Sequence, residues 1–209
     1  MKRVYFVRHG VTVFNEANLV QDETDTLSPI GMVQAKRIAE RLATVPFTTL
    51  MSSDYIRAKA TAEVIAGVTK KTPEINPLLR ETLRPTKFIG TPRDGVEYLS
   101  YLQQSFEYMT DPSWRYSDEE NFYDVMERVE ALFKILDGNT DDVVAVTHGR
   151  FIMFIVAYVI MNRQLSASMW KLCMNSFQTS NTGITVIEYN DNHEYWRLLT
   201  FNDHAHFAE

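Results

Sequence analysis

The sequence predicts an α/β fold arranged as a three-layer sandwich: a mainly parallel central sheet with an antiparallel edge strand, helices on both faces and an inserted cap. Three observations carry that expectation. Two apolar runs, Val4-Tyr5-Phe6-Val7 and Val143-Val144-Ala145-Val146, end at His-Gly pairs, His9-Gly10 and His148-Gly149. Runs apolar at every position suit strands buried on both faces, as in parallel sheets. Strand-like and helix-like segments alternate along most of the chain, which implies crossover connections. Near the C-terminus, Ile184 to Tyr189 and Tyr195 to Thr200 alternate around Asn190-Asp191-Asn192, a hairpin pattern that requires at least one antiparallel strand.

The first strand is read as Arg3 to Val7, followed by a turn-rich loop from Gly10 to Leu27. Ser28-Pro29 has the pattern of an N-cap with proline in the first helical turn, and Ile30, Val33, Ile38 and Leu42 follow at near-helical spacing. Val45 to Met51 reads as a short buried strand. Ser52-Ser53-Asp54 reads as the cap of a helix that runs to about Ala66 and stops at Gly67. Glu74 to Leu79 is a strand or extended segment. From about 82 to 121 the pattern loosens into a stretch rich in aromatics, with Pro85, Pro92 and Pro112, and a helix is expected from Asp94 to Met109. Ser117-Asp118-Glu119-Glu120 reads as a capping box for a helix ending before Gly138. A strand at 143–147, a helix at 150–161 and another at about Ser166 to Cys173 complete the chain before the hairpin.

A chain of 209 residues, 45 % hydrophobic and 23 % charged, can bury one sizeable core. One domain with an inserted cap is expected over residues 1–209. The net charge of -6 argues against nucleic-acid binding but permits a small anionic substrate, because a local arginine cluster can focus positive potential. The single cysteine, Cys173, reads as a small buried hydrophobe and fits a reducing compartment. Arg8 interrupts any signal-type stretch, and the apolar segment 151–161 is too short to cross a bilayer. A cytoplasmic protein without membrane or nucleic-acid partners is expected, either monomer or dimer.

Four groups of residues could carry chemistry. Arg8-His9-Gly10, with Asn15 just after, stands at a strand end, where ligands bind in open α/β sheets; the plain alternative is a structural histidine beside a solvated arginine. Arg57 lies one turn into the helix after the second strand, beside a helix N-terminus that favours anions, or else it pairs with Asp54. His148-Gly149 puts an imidazole and backbone amides at one spot, or His148 caps its helix. Glu81, at the root of the insertion, can reach into a cleft or pair with Arg80. Together they place Arg, His, Arg and His at three strand ends.

That constellation resembles the histidine phosphatase superfamily, also called phosphoglycerate mutase-like. The matching residues are Arg8-His9-Gly10, Asn15, Leu27-Ser28-Pro29-Ile30-Gly31 with Gln34-Ala35, Ser52-Ser53-Asp54 with Arg57-Ala58 and Thr61-Ala62, and Val146-Thr147-His148-Gly149. The resemblance spans nearly the whole chain. It implies His9 as a phosphorylated nucleophile, Arg8, Arg57 and His148 around the phosphate with Asn15 assisting, and Glu81 as proton donor. Gln21 and Gly149 join the expected phosphate-binding set. Gln21 is followed by Asp22 where many relatives have glycine. After Glu81 the chain reads Thr82-Leu83-Arg84-Pro85-Thr86-Lys87-Phe88-Ile89-Gly90, unlike the Asn-Glu-Arg-His-Tyr-Gly pattern of cofactor-dependent phosphoglycerate mutases. This counts against mutase activity and leaves the substrate unassigned.

The chemistry suits these residue types. Nucleophilic histidine needs an unprotonated ring nitrogen, and two arginines nearby lower its pKa, as does a second histidine in its protonated state. A backbone carbonyl near Gly10 can fix the tautomer. Planar guanidinium groups match the charge spread of phosphoryl transfer, so the expectation includes no metal and no cofactor. The expected activity is a metal-independent phosphatase acting on a small phosphorylated metabolite. A phosphoglycerate mutase-type transferase, a protein phosphatase and a catalytically silent binding protein are the alternatives. Arg84 and Lys87 read as a solvated basic stretch, with contact to a second acidic group of the substrate as the alternative. His193 reads as solvated, and His204 and His206 as part of a polar tail that frays, with reach into the site as the alternative.

Overall fold

The computed structural model describes residues 1–207. Six strands form one sheet in the order β3-β2-β4-β1-β5-β6. They are β1 (Lys2–Arg8), β2 (Thr49–Ser52), β3 (Pro73–Ile75), β4 (Val143–Thr147), β5 (Ile184–Asn190) and β6 (Tyr195–Asp203). β4 lies between β1 and β2, parallel to both; β5 and β6 run antiparallel at one edge. The α/β architecture expected from the sequence is therefore present: β5 runs against both of its neighbours, as the hairpin requires, and the other pairings are parallel.

The period-2 alternation of each strand assigns its side chains to opposite layers. Val7, Leu50, Val144 and Val146 face α2 (Pro29–Leu42) and α3 (Ile56–Thr69). Val4, Phe6, Val143 and Ala145 face the other layer. That layer holds α5 (Phe122–Gly138), α6 (Gly149–Ile160) and α7 (Ala167–Cys173). A one-turn helix, α1 (Val13–Glu16), sits in the loop after β1, and α4 (Val96–Glu107) in the inserted segment. Among the described residues no helix is long and apolar enough to cross a membrane.

Several boundaries differ from the expected ones. Ser28 caps α2 as read, its Oγ accepting from the Gly31 amide. Ser52-Ser53-Asp54 does not cap α3: Tyr55 is the N-cap residue, without a side-chain cap, and the Ser53 hydroxyl faces the Tyr55 amide and His148. α3 runs through Gly67 and ends where Lys70 takes a left-handed φ of 60°. The extended segment after it is short, and Pro77–Leu79 forms a 3-10 turn. α5 is capped by Asn121 with Asp124, not by the 117–120 stretch, because Glu119 turns back onto the Tyr116 and Ser117 amides.

The segment from 82 to 121 has its own small core of Phe88, Tyr98 and Tyr101, joined by Val20 from the loop after β1. Backbone bonds tie the two: Val20 N–H donates to Thr91 O and Gly90 N–H to Val20 O, each at 2.9 Å. The start of α2 packs closely on the same loop. A Cβ built on Gly31 would lie 1.9 Å from the Val11 carbonyl oxygen, whereas one on Gly67 meets nothing within 4 Å.

The two glycines should thus respond oppositely to alanine. Gly31→Ala is expected to lower stability by at least about 1–3 kcal/mol through overpacking, and Gly67→Ala to raise it by about 0.5–1 kcal/mol through helix propensity. Urea midpoints of the two variants read both signs.

Candidate active site

The C-terminal ends of β1, β2 and β4 lie side by side. Arg8 pairs with Thr147 across the β1–β4 ladder, and the His9 amide donates to Thr147 O at 3.0 Å. This brings the rings of His9 and His148 to 5.1 Å between centroids. Because β5 is antiparallel to β1, its start meets the end of β1. Thr182 N–H donates to Arg8 O at 2.9 Å, and Asn181 Nδ2 donates to His9 O at 2.9 Å.

Two hydrogen bonds settle the state of His9. Nδ1 stands 2.7 Å from Gly10 O, which can only accept, so Nδ1 carries the proton. Nε2 accepts from Arg57 Nε at 3.2 Å and therefore presents its lone pair there. Burial, then the charges of Arg57 and Arg8, push the ring well below the ordinary histidine pKa of 6.5. Arg57 is itself buried, and its Nη1 donates to the Asp22 carbonyl.

His148 is also pushed well below 6.5, by burial first and then by Arg57, His9 and Arg8. Of the two charge states that the sequence left open for the second histidine, the surroundings favour the neutral one: a buried imidazole beside two guanidinium groups resists protonation. His148 Nε2 is 2.9 Å from Ser53 Oγ, and its Nδ1 is buried without a hydrogen-bond partner. Arg8 Nη1 donates to Thr179 O at 2.5 Å, while its buried Nε has no partner. Burial holds the Arg8 guanidinium down to about 10. Among the described residues these two buried nitrogens thus lack partners, which in a native site calls for a ligand, water or ion to satisfy them. Gly149 lets Arg8 pass, since a Cβ there would lie 3.2 Å from Arg8 Nε.

A cleft of about 460 Å³ opens above these groups, and Arg8, Arg57, Glu81, Gln21 and Gly149 line it. His9 and His148 do not line it and are 1 % and 0 % exposed, but both are close enough to its lining Arg57 and Arg8 to feel their charges. Glu81 accepts three backbone N–H bonds: Oε1 from Thr82 and Phe151, Oε2 from Arg150. The alternative pairings of Arg57 with Asp54 and of Glu81 with Arg80 are not formed, because Asp54 and Arg80 pair with each other. Gln21 is fully engaged by Thr12, Asp25 and Arg93. Asn15 stands behind the site, accepting from Thr12 N and Asn181 Nδ2, and does not line the cleft.

Arg84 lines the cleft instead of standing solvated, whereas Lys87 is exposed and paired with Glu97. The tail does not fray: His206 bridges Arg41 Nη1 and Thr182 Oγ1, and burial followed by Arg41 pushes it down to about 4. Ser53 and Asn181 are the supporting residues that sequence reading missed. Ser53 lies in a stretch that reads as a helix cap, and Asn181 in Asn181-Thr182-Gly183, which reads as a turn before the last hairpin. The signal for Asn181 was its place just before a strand antiparallel to β1.

The sequence matches the family model of the histidine phosphatase superfamily (branch 1) over residues 4–204. The chain belongs to that superfamily. Its fold is similar to that of a mycobacterial glucosyl-3-phosphoglycerate phosphatase solved with VO3, with a TM-score of 0.80 and 24 % identity over 97 % of this chain and 99 % of that one. A phosphoserine phosphatase mutant from Entamoeba histolytica, solved with phosphoserine, gives a TM-score of 0.80 at 22 % identity over 99 % of each chain. A probable phosphoglycerate mutase from Yersinia pestis is 40 % identical over 82 residues, 39 % of this chain and 38 % of the relative.

The two buried rings carry a pH signature. Below about pH 6.5 the unfolded chain takes up protons on both histidines while the native protein does not, so stability falls as pH falls. Each ring contributes at most about 1.4 kcal/mol per pH unit to that slope. Urea midpoints between pH 7.5 and 5 should show the decline, and His148→Asn should flatten it; a midpoint indifferent to acid contradicts the assignment.

Proposed function

We propose that the chain is a phosphoric monoester hydrolase acting on small phosphorylated metabolites in the cytoplasm, through a phosphohistidine on His9. The observation that carries this reading is the pair of hydrogen bonds on the His9 ring, which leaves Nε2 as a lone pair held beneath the cleft. As an ester phosphate enters, Arg57 Nε turns from Nε2 to a phosphoryl oxygen. Nε2 then attacks phosphorus in line with the ester oxygen. Arg8, Arg57 and the free Nδ1–H of neutral His148 receive the three equatorial oxygens, with guanidinium charge in place of a metal. Ser53 can donate to His148 Nε2, which leaves the proton on Nδ1.

The P–O bond breaks as Glu81 gives its proton to the leaving alcohol. To do so Glu81 must first release one of the amides it now accepts. Water next attacks phosphorus, its proton passes to Glu81, and the P–N bond breaks to free phosphate and restore His9. The substrates named for the two solved phosphatases support a small-molecule substrate. A mutase reading draws on the Yersinia relative, and supports transfer to a second hydroxyl instead of water.

His9→Ala should lose phosphate release by at least about a thousandfold, along with acid-labile labelling by a phosphoryl donor. Glu81→Gln should slow alkyl phosphate hydrolysis by about 10²–10⁴, and p-nitrophenyl phosphate far less, since its leaving group needs no proton. Full turnover of alkyl esters by Glu81→Gln removes the proton-donor role. Isomerised phosphoglycerate without free phosphate would favour the mutase.

A further inference from the structure

Five arginines line the cleft: Arg8, Arg57, Arg84, Arg93 and Arg150. Of the thirteen arginines in the chain, seven form ion pairs among the described residues, and none of these five is among them. Arg8 and Arg57 serve the phosphate position. Arg93 is committed to Leu19 O and Gln21 Oε1. Arg84 and Arg150 remain, and no carboxylate among the described residues accepts a hydrogen bond from either.

The two line the same cleft, close enough for the charge of Arg84 to act on Arg150. Both also line a small adjoining cavity beside Tyr101 and Trp170. The Arg150 guanidinium lies 5.8 Å from the Trp170 ring, and Arg84 lies beside Tyr98 and Tyr101. Burial, then the charge of Arg84, brings Arg150 down to about 10. The acids nearby are already spent. Glu81 accepts three backbone amides, Glu119 the Tyr116 and Ser117 amides, and Glu120 pairs with Arg128. Arg150 is thus a recessed cation disfavoured by burial and by its like-charged neighbour, and an anion bound between the two relieves it.

We propose that Arg84 and Arg150 form a second anion subsite, which takes a carboxylate or second phosphate carried on the same small molecule whose ester phosphate meets His9. This deepens the phosphatase reading and rests on it for the position of the first anion. A cleft of about 460 Å³ has room for one small molecule spanning both positions. The planar forks suit either acid, and the lever is binding, so the effect falls on KM.

Three esters of equal chain length separate the cases: propyl phosphate, the phosphate ester of 3-hydroxypropanoate, and propane-1,3-diol bisphosphate. Wild type should prefer an acid-bearing ester over propyl phosphate by about tenfold or more in kcat/KM. Arg84→Gln and Arg150→Gln should each collapse that ratio, through KM, and the ester that loses most identifies the acid read. Equal kcat/KM for all three in wild type, or variants that slow all three alike, would overturn the subsite. Calorimetry of the same esters on His9→Ala reads it without turnover. If wild type frees no phosphate from any ester, the hydrolase reading fails, and the calorimetric preference still decides the subsite: preference for an acid upholds it, and indifference overturns it.

Discussion

Arg8 stands opposite Thr147 where β1 and β4 pair in parallel, and the His9 amide closes the ladder on the Thr147 carbonyl. From that register the rest of the cleft follows. A slip of one residue would turn every side chain of β1 to the other face and part His9 from His148. The register is held by two cores at once: Val4 and Phe6 belong with α5 and α6, Val7 with α2 and α3. Side chains far from the chemistry therefore set the distance between the two imidazoles.

Once the rings are placed, electrostatics decides their state. An exposed histidine would be partly protonated near neutral pH and unable to attack phosphorus. Burial acts first on His9, and the arginines that would hold a phosphate act second in the same direction. On the proposed reading, the cations that would attract the substrate also keep the His9 ring neutral. Arg57 has a double part: its Nε caps the Nε2 lone pair, and its Nη1 reaches the loop carbonyl of Asp22. On the proposed reading, a phosphate that engages Arg57 competes with these bonds, and its entry is coupled to the loop after β1.

The strand ends are the part most legible in the sequence. Buried apolar runs that stop at His9-Gly10 and His148-Gly149 announce both the sheet and the site, because glycine after a strand lets chain and ligand come close. Arg57 and Glu81 are legible through their place after a strand and at the root of the insertion. The supporting bonds are not. Ser53 reads as a cap because serine before a helix usually is one, yet its hydroxyl faces His148. Asn181 reads as a turn residue, since only the antiparallel pairing of β5 brings it to His9. The neutral state of His148 depends on burial, which no local pattern encodes. Likewise Arg84 reads as solvated until α6 and the aromatic cluster close around it.

The inserted segment does more than roof the cleft. Its backbone is paired to the loop after β1 through Val20, Gly90 and Thr91, and its aromatics enclose Val20. The first turn of α6 meets the root of that segment through Glu81, whose oxygens hold the Arg150 and Phe151 amides. One carboxylate therefore joins the helix that begins at His148 to the chain that carries Arg84. If Glu81 turns to protonate a leaving group, it loosens its hold on the amide of Arg150, whose side chain lines the same cleft. On the proposed reading, proton delivery and the grip on a second anion then pass through one carboxylate.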